Sequence, residues 1–258
     1  MDFEAVASNL RESFRIIAAS RRSGEVRELR GVSIASAGVA FQMFNAAFLS
    51  APVENEAELA QRLMLAGVHF NARGQEWAYW VCQDFMNARL RRRARRIFED
   101  CGLRHSVELP GMVADPVLPP VRPLPALEVR RVGDAVTVDA FCAIGSVCFH
   151  VPIVWFREVF DSPAVWEPFA AYVGFVDGVP VSTTAIITSD SVLGVYNVAT
   201  LPEHQHQGYG EAVMRCALED AHSRSGLDRT VLQSTAAGYR LYERMGFKTV
   251  THVSVYAT

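Results

Sequence analysis

Apolar residues along this chain fall into two kinds of run, and their alternation predicts a mixed α/β architecture. Residues 54–73 place Leu59, Leu63, Ala66 and Phe70 at three- and four-residue spacing, the stripe of a helix that buries one face. The short continuous run Trp77-Ala78-Tyr79-Trp80-Val81-Cys82, within 76–82, reads as a buried strand. On the same reasoning the first part of the chain holds a helix over 3–21. Residues 25–29 then lead on to a strand pair around 31–50. After the strand at 76–82 comes an arginine-rich helix ending at Cys101-Gly102-Leu103. The later part begins with a strand over 127–132 and helices over 134–144 and 152–160. A hairpin follows, 171–176 with 179–187, turning on Asp177-Gly178. Then come a strand over 192–200, a helix over 211–222, a strand over 230–234 and a helix over 236–245 closed by Gly246. The predicted fold class is α/β (α+β), a mixed twisted sheet with helices on both faces.

Between the two parts the periodicity stops. Residues 115–125 hold five prolines in eleven positions. Proline has a fixed φ and no N–H, so this stretch is neither helix nor central strand. It reads as a semi-rigid extended linker. The expected organisation is an N-terminal α/β domain over 1–115, a linker over 116–126 and a second domain over 127–258.

Composition narrows the function classes. Half of the 258 residues are hydrophobic and a fifth are charged, enough for a full core. No apolar run approaches the roughly 20 residues of a membrane span. The start, Met1-Asp2-Phe3-Glu4, is acidic and amphipathic, unlike a signal peptide. Five cysteines without a C-x-x-C pair read as reduced packing residues. A cytoplasmic protein with no membrane partner is expected. The net charge of −3 does not favour nucleic acid. The run Arg89 to Arg96 is an exception only in appearance. Leu90, Ala94, Ile97 and Phe98 share one helix face, and no aromatic residues interleave the arginines, so a solvated helix is expected.

The chemistry concentrates at Gln205-His206-Gln207-Gly208-Tyr209-Gly210, a Q-x-x-G-x-G stretch between a strand and a helix. Glycines let a backbone approach a ligand and take dihedrals that a Cβ forbids. The helix start beyond them offers unsatisfied N–H groups and a positive dipole end, which suits a pyrophosphate. A dinucleotide G-x-G-x-x-G fails for want of a glycine at Gln205 or His206. A Walker loop fails because the only lysine is Lys248.

Three pieces in order resemble the GNAT superfamily, the GCN5-related N-acetyltransferases. Val198 to Pro202 is similar to the family's V-x-T/V-x-P strand end. Gln205 to Gly210 matches its [QR]-x-x-G-x-[GA] loop, with His206 where many members have glycine. Gly238 to Phe247 matches A-x-x-L-Y-x-x-x-G-F, with Gly238 in place of alanine. The resemblance covers residues 127–258. It implies acetyl-CoA as co-substrate, no metal, and a small-molecule amine acceptor. Val198 and Thr200 would pair with the pantetheine arm, and the N–H of Val198 or Ala199 would face the thioester oxygen. The cradle Gln205, His206, Gln207, Gly208, Tyr209, Gly210 and Glu211 would take the pyrophosphate, with the Glu211 side chain turned outward. Ser234 would lie near the pantetheine or adenosine. Tyr242 would be the general acid, although Gly238, Leu241, Tyr242 and Met245 also form a helix stripe that reads as core.

The residues assign no general base. Glu203, His204, Tyr196, Asn197, Glu158, Asp161 and Glu167 are candidates, and a water relay is the alternative. His204 and His206 lack a third ligand for a metal site. His150, Trp155, Phe156, Phe160 and Trp166 would line an acceptor pocket or simply pack. The pI near 6.2 and the lack of an acidic patch argue mildly against a polycationic acceptor. The order of elements in the first part echoes the second half of a GNAT domain, yet residues 45–56 contain no glycine. A degenerate GNAT-like copy unable to bind CoA is therefore expected there, with an unrelated α/β cap as the rival. A non-catalytic acyl-CoA-binding sensor and an acyltransferase for longer acyl-CoA are the alternative functions. Monomer and homodimer are both compatible with the sequence.

Overall fold

A computed structural model of the protein describes residues 1–189 and 191–258. The chain packs into two compact units, Met1–Gly111 with Thr249–Thr258, and Met112–Lys248. These units differ from the expected division at two places. Residues 112–126 group with the second unit, and the final ten residues group with the first.

The first unit contains α1 (Asp2–Ser20), β1 (Glu25–Leu29), β2 (Val32–Ser36), β3 (Asn45–Leu49), α2 (Glu56–Asn71), β4 (Ala78–Cys82) and α3 (Ala88–Asp100). Strand β5 (Arg104–Ala114) follows, and its last three residues belong to the second unit. β1, β2 and β3 are antiparallel neighbours, and β3 runs parallel to β4. The chain's closing strand, Lys248–Ala257, pairs antiparallel with β4, Val253 opposite Cys82 and Ala257 opposite Ala78. Side chains alternate across a strand, so Phe48 and Trp80 share one face and Ala47 and Tyr79 the other. Phe14 of α1 packs on Phe48 and Trp80. Leu59, Leu63 and Phe70 of α2 and Phe98 of α3 pack with Tyr79. Helices thus cover both faces. The stripe expected for α2 is buried as read, and α3 buries Leu90, Ala94 and Phe98 while its arginines face outward.

The second unit holds β6 (Glu128–Arg131), α4 (Ala135–Phe149), α5 (Ile153–Val159), β7 (Ala170–Val176), β8 (Val179–Ser189), β9 (Val192–Thr200), α6 (Tyr209–Ser225), β10 (Thr230–Gln233) and α7 (Ala236–Arg244). β6 to β9 form an antiparallel meander, and β10 runs parallel to β9. Val213, Met214 and Ala217 of α6 pack with Tyr172, Ile186, Leu193 and Val195 from three strands. Around α4 and α5, Phe141, Phe156, Phe160, Trp166 and Phe169 form a buried aromatic cluster. The architecture is the mixed α/β one that the hydrophobic pattern predicts. No described helix is long and apolar enough to cross a membrane.

Candidate functional site

The site grows from a mismatch between two strands. β10 pairs with β9 from Leu193 to Val195. β9 continues to Thr200, so Tyr196 to Thr200 extend past the last β9–β10 pair while still lying beside β8. Beyond Val195 one edge of β9 therefore has no neighbouring β10 residue in register. At the same point β9 carries a bulge. The β8–β9 register shifts between Thr183 and Ala185, and Asn197 takes a φ of 50°. A bulge adds an unpaired residue and re-aims the backbone around it.

Two buried side chains of β8 pin this bulge. Thr183 Oγ1 donates to the Asn197 carbonyl at 2.8 Å, and Ser182 Oγ donates to the Ala199 carbonyl at 2.7 Å. Ser182 Oγ and Thr200 Oγ1 are also 2.9 Å apart. Thr184, next along β8 and at the register shift, has a buried hydroxyl with no partner among the described residues. The three consecutive hydroxyls Ser182-Thr183-Thr184 in the middle of β8 are the sequence's visible sign of this device.

The loop after β9 opens with a single 3-10 turn, Pro202–His204. Gln205 Nε2 donates back to the Thr200 carbonyl at 3.1 Å, closing the loop onto the strand end. His206 and Gly208 take φ of 63° and 91°. α6 then begins at Tyr209, two residues before the expected start, because Gly208 serves as its N-cap and accepts from Ala212 N at 3.0 Å. Among the described residues no side chain caps this end. The amides of Tyr209, Gly210 and Glu211 occupy the first turn, where N–H groups have no intrahelical acceptor. Their positive end of the helix dipole faces the loop.

Both glycines are tightly surrounded, and Gly208 also holds a left-handed φ. An added Cβ at Gly210 would stand 3.0 Å from Thr200 Oγ1, and one at Gly208 would stand 3.2 Å from Pro125 Cδ. His206 and Gln207 lie exposed around this start. The expectation that Glu211 turns outward is corrected. Its carboxylate is buried and ion-paired with Arg215 at 2.9 Å, one helical turn on. That pair neutralises the adverse charge behind the first turn.

Tyr242 lies on α7 and is 7% exposed. Its ring packs edge-on against Phe247 and beneath Gly238, where an added Cβ would come within 2.7 Å of Cε2. The helix stripe is real, since Tyr242 and Met245 are both core residues. Its hydroxyl makes no hydrogen bond with any described residue. Burial pushes its pKa well above the ordinary tyrosine value, so the hydroxyl stays protonated. Ser234 is fully buried just past β10, and its Oγ donates to the Thr235 carbonyl at 2.8 Å. Its side chain is therefore committed locally.

Other polar candidates separate into near and far groups. Cys148 at the end of α4 donates to the Thr200 carbonyl at 3.3 Å, and burial followed by the charge of Glu203 raises its pKa. Glu203, His204, Tyr196 and Asn197 belong to the β9 end and its loop. Glu167 instead pairs with Arg131 at 3.3 Å. A cleft of about 450 Å³ is lined by Asp134, Asp139, Cys142, Arg157, Asp161 and Trp166, among others. Burial pushes the Cys142 thiol up to about 12. Asp139 lies nine residues before Cys148 on α4, roughly 13 Å along the axis. The cleft is therefore set back along α4 from the β9 end, its nearest α4 residue, Cys142, lying roughly 9 Å before Cys148. Phe156, Phe160 and Trp166 are buried in the aromatic cluster, whereas Trp155 and His150 are exposed. Among the described residues no group of three potential metal ligands is gathered.

The first unit repeats the strand and helix order around β8, β9, α6 and β10, but without these features. β2 and β3 are antiparallel and β3 is parallel to β4, with α2 between them. Pairing resumes beyond β3, where Val53 bridges Met86 and Val53 N donates to the Phe85 carbonyl at 2.7 Å. The start of α2 is capped, Asn55 accepting from Glu58 N at 3.0 Å, and carries Glu56 and Glu58 in its first turn. Glu58 Oε2 also accepts from Glu54 N at 3.0 Å. The gap is stitched shut and the helix start is occupied and acidic, so it does not suit a phosphate.

Residues 166–249 match the family model of the acetyltransferase (GNAT) domain. No curated protein sequence matches the chain at a significant level. Among solved structures, the fold is similar to a GCN5-related N-acetyltransferase from Kribbella flavida, with a TM-score of 0.73 and 20% identity over 98% of this chain and 94% of that one. It is also similar to a functionally unknown conserved protein from Staphylococcus epidermidis, at TM-score 0.65 and 12% identity over 91% and 94% of the two chains. A GCN5-related N-acetyltransferase from Sphaerobacter thermophilus aligns at TM-score 0.55 and 14% identity over 90% and 82%. These likenesses span both units, so the fold of the first unit is shared with such proteins as well.

Proposed function

We propose, from the premise that the second unit carries a GNAT acetyltransferase domain, that this protein transfers an acetyl group directly from acetyl-CoA to the amine of a small acceptor. The observation that supports this most is one juxtaposition. The uncapped, glycine-opened start of α6 adjoins the stretch of β9 that β10 leaves unmatched. The first gives amides for a diphosphate, and the second gives a strand edge for the pantetheine arm.

Acetyl-CoA would supply the activated acyl group. Backbone groups of Val198 and Thr200 pair with its arm, and the amides from His206 to Glu211 hold its diphosphate. The N–H of Val198 or Ala199 polarises the thioester carbonyl as negative charge develops on oxygen. The amine nitrogen then bonds to the carbonyl carbon, and the C–S bond breaks as that intermediate collapses. Tyr242 donates a proton to the departing sulfur. The amine's proton is lost to solvent near Glu203 and His204. Ser234 is left out of this scheme because it is fully buried and its O–H already donates to the Thr235 carbonyl.

The burial of Tyr242 in the core favours one second reading, an acyl-CoA-binding sensor without turnover. Free-thiol release from acetyl-CoA, followed across a panel of small amines, distinguishes the two. Amine-dependent release with an acetylated product supports transfer. Saturable acyl-CoA binding with no release, for acetyl and longer acyl chains alike, supports the sensor.

A further inference from the structure

The proline-rich stretch is more than a connection between domains. Leu118 N donates to the Met245 carbonyl at 2.9 Å, and the Leu118 carbonyl accepts from Arg215 Nη1 at 2.8 Å. Leu118 also fills the space beside Gly246, where a Cβ would come within 2.7 Å of its Cγ. Seven residues later Pro125 sits against Gly208. Residues 118–125 therefore form a strap fastened at the end of α7 and at the start of α6. Pro119, Pro120 and Pro123 lie between the fastenings, and their fixed φ angles stiffen it.

Arg122 is carried on this strap. Its Nη2 lies 3.8 Å from the position a Cβ on Gly208 would take. The guanidinium forms no hydrogen bond or ion pair with any described residue. Arg215, further along α6, is engaged at Nε by Glu211 and at Nη1 by the Leu118 carbonyl, and its Nη2 lies 2.9 Å from the same carboxylate as an ion pair. Glu203 adds negative charge to the loop. A diphosphate held only by amides would thus lack a counter-charge from Arg215, and Arg122 stands where one is needed.

We propose that Arg122 is a ligand of the cofactor diphosphate, held over the first turn of α6 by the proline strap. This rests on reading that turn as the CoA site. A guanidinium offers paired N–H donors that match phosphate oxygens. Because the strap is stiff and anchored at both ends, little chain freedom is lost when the ligand arrives.

The test compares Arg122→Ala and Arg122→Lys with the parent by calorimetry, using acetyl-CoA, dephospho-CoA and acetyl-pantetheine at low and high salt. Removing a charge-assisted contact should weaken acetyl-CoA and dephospho-CoA binding by about tenfold each, with a shallower salt dependence. Acetyl-pantetheine, which has no diphosphate, should be unaffected, and the lysine variant should recover part of the loss. Unchanged melting temperatures would accompany this pattern. Parental acetyl-CoA affinity in Arg122→Ala overturns the proposal while leaving the CoA site intact. A loss for acetyl-CoA but not for dephospho-CoA also overturns it, placing the contact on the 3′-phosphate. A parent protein that binds acetyl-CoA no better than acetyl-pantetheine fails the underlying site reading, and the proposal with it.

Discussion

Tyr242 has two possible roles with different observables. As proton donor to the leaving sulfur, it should lose about 10²–10⁴-fold in kcat on Tyr242→Phe, with acetyl-CoA affinity nearly unchanged. As a packing residue it should leave kcat near the parental value, since the phenyl ring keeps its place against Phe247. The same variant carries a pH signature. Burial raises the tyrosine's folded pKa above the unfolded value of about 10, so the stabilisation of its neutral form is complete below about pH 10 and is lost above it. Tyr242→Phe should therefore show a smaller alkaline loss of stability in denaturation followed from pH 8 to 11. Gly238 bears on the same hydroxyl. The alanine usual in the resembled motif would press within 2.7 Å of the Tyr242 ring here. Gly238→Ala should gain helix propensity yet lower kcat by displacing the ring, and steady-state kinetics beside a thermal melt would show both.

At the scale of elements, the site depends on how β9 is held and on how α6 begins. Thr183→Val removes the hydroxyl that fixes the Asn197 carbonyl, with little change of shape. Stability should fall by about 1 kcal/mol. If the bulge aims Val198 and Ala199 at the thioester, kcat should drop by one to two orders of magnitude through misplacement, with KM for acetyl-CoA little changed. A rate loss no larger than the stability loss explains would make the bulge merely structural. Gly208→Ala places a Cβ 3.2 Å from Pro125 at a φ of 91°. It should weaken acetyl-CoA binding at least tenfold by calorimetry while most of the sheet remains folded.

These elements also show what a linear pattern can carry. The strand, loop and helix around Gly208 were legible because glycine spacing and periodicity are local. The bulge at Asn197 was not, because it depends on hydroxyls of a neighbouring strand. The inward, Arg215-paired Glu211 was misread because helix position alone does not say where a carboxylate finds its counter-ion.

For the molecule as a whole, the α/β character of both units followed from apolar periodicity. The closing of the first unit's gap by Val53 and Met86 had no local signal, since it pairs residues far apart in the chain. For the same reason the grouping of Thr249–Thr258 with the first unit was invisible, as a strand's partner is not written in its own residues. The proline-rich stretch was recognisable as stiff and extended, but its seat against Gly208 depends on a contact across more than eighty residues of sequence.

The proposed function requires an open acetyl-CoA site in one unit and a closed one in the other, which is built on the same order of elements. Isothermal calorimetry of acetyl-CoA on the intact chain tests this most directly. The predicted result is a single class of sites at one molecule per chain, lost in Gly208→Asp, where a carboxylate would face the diphosphate. Two equivalent molecules per chain, or full binding retained in that variant, would contradict it.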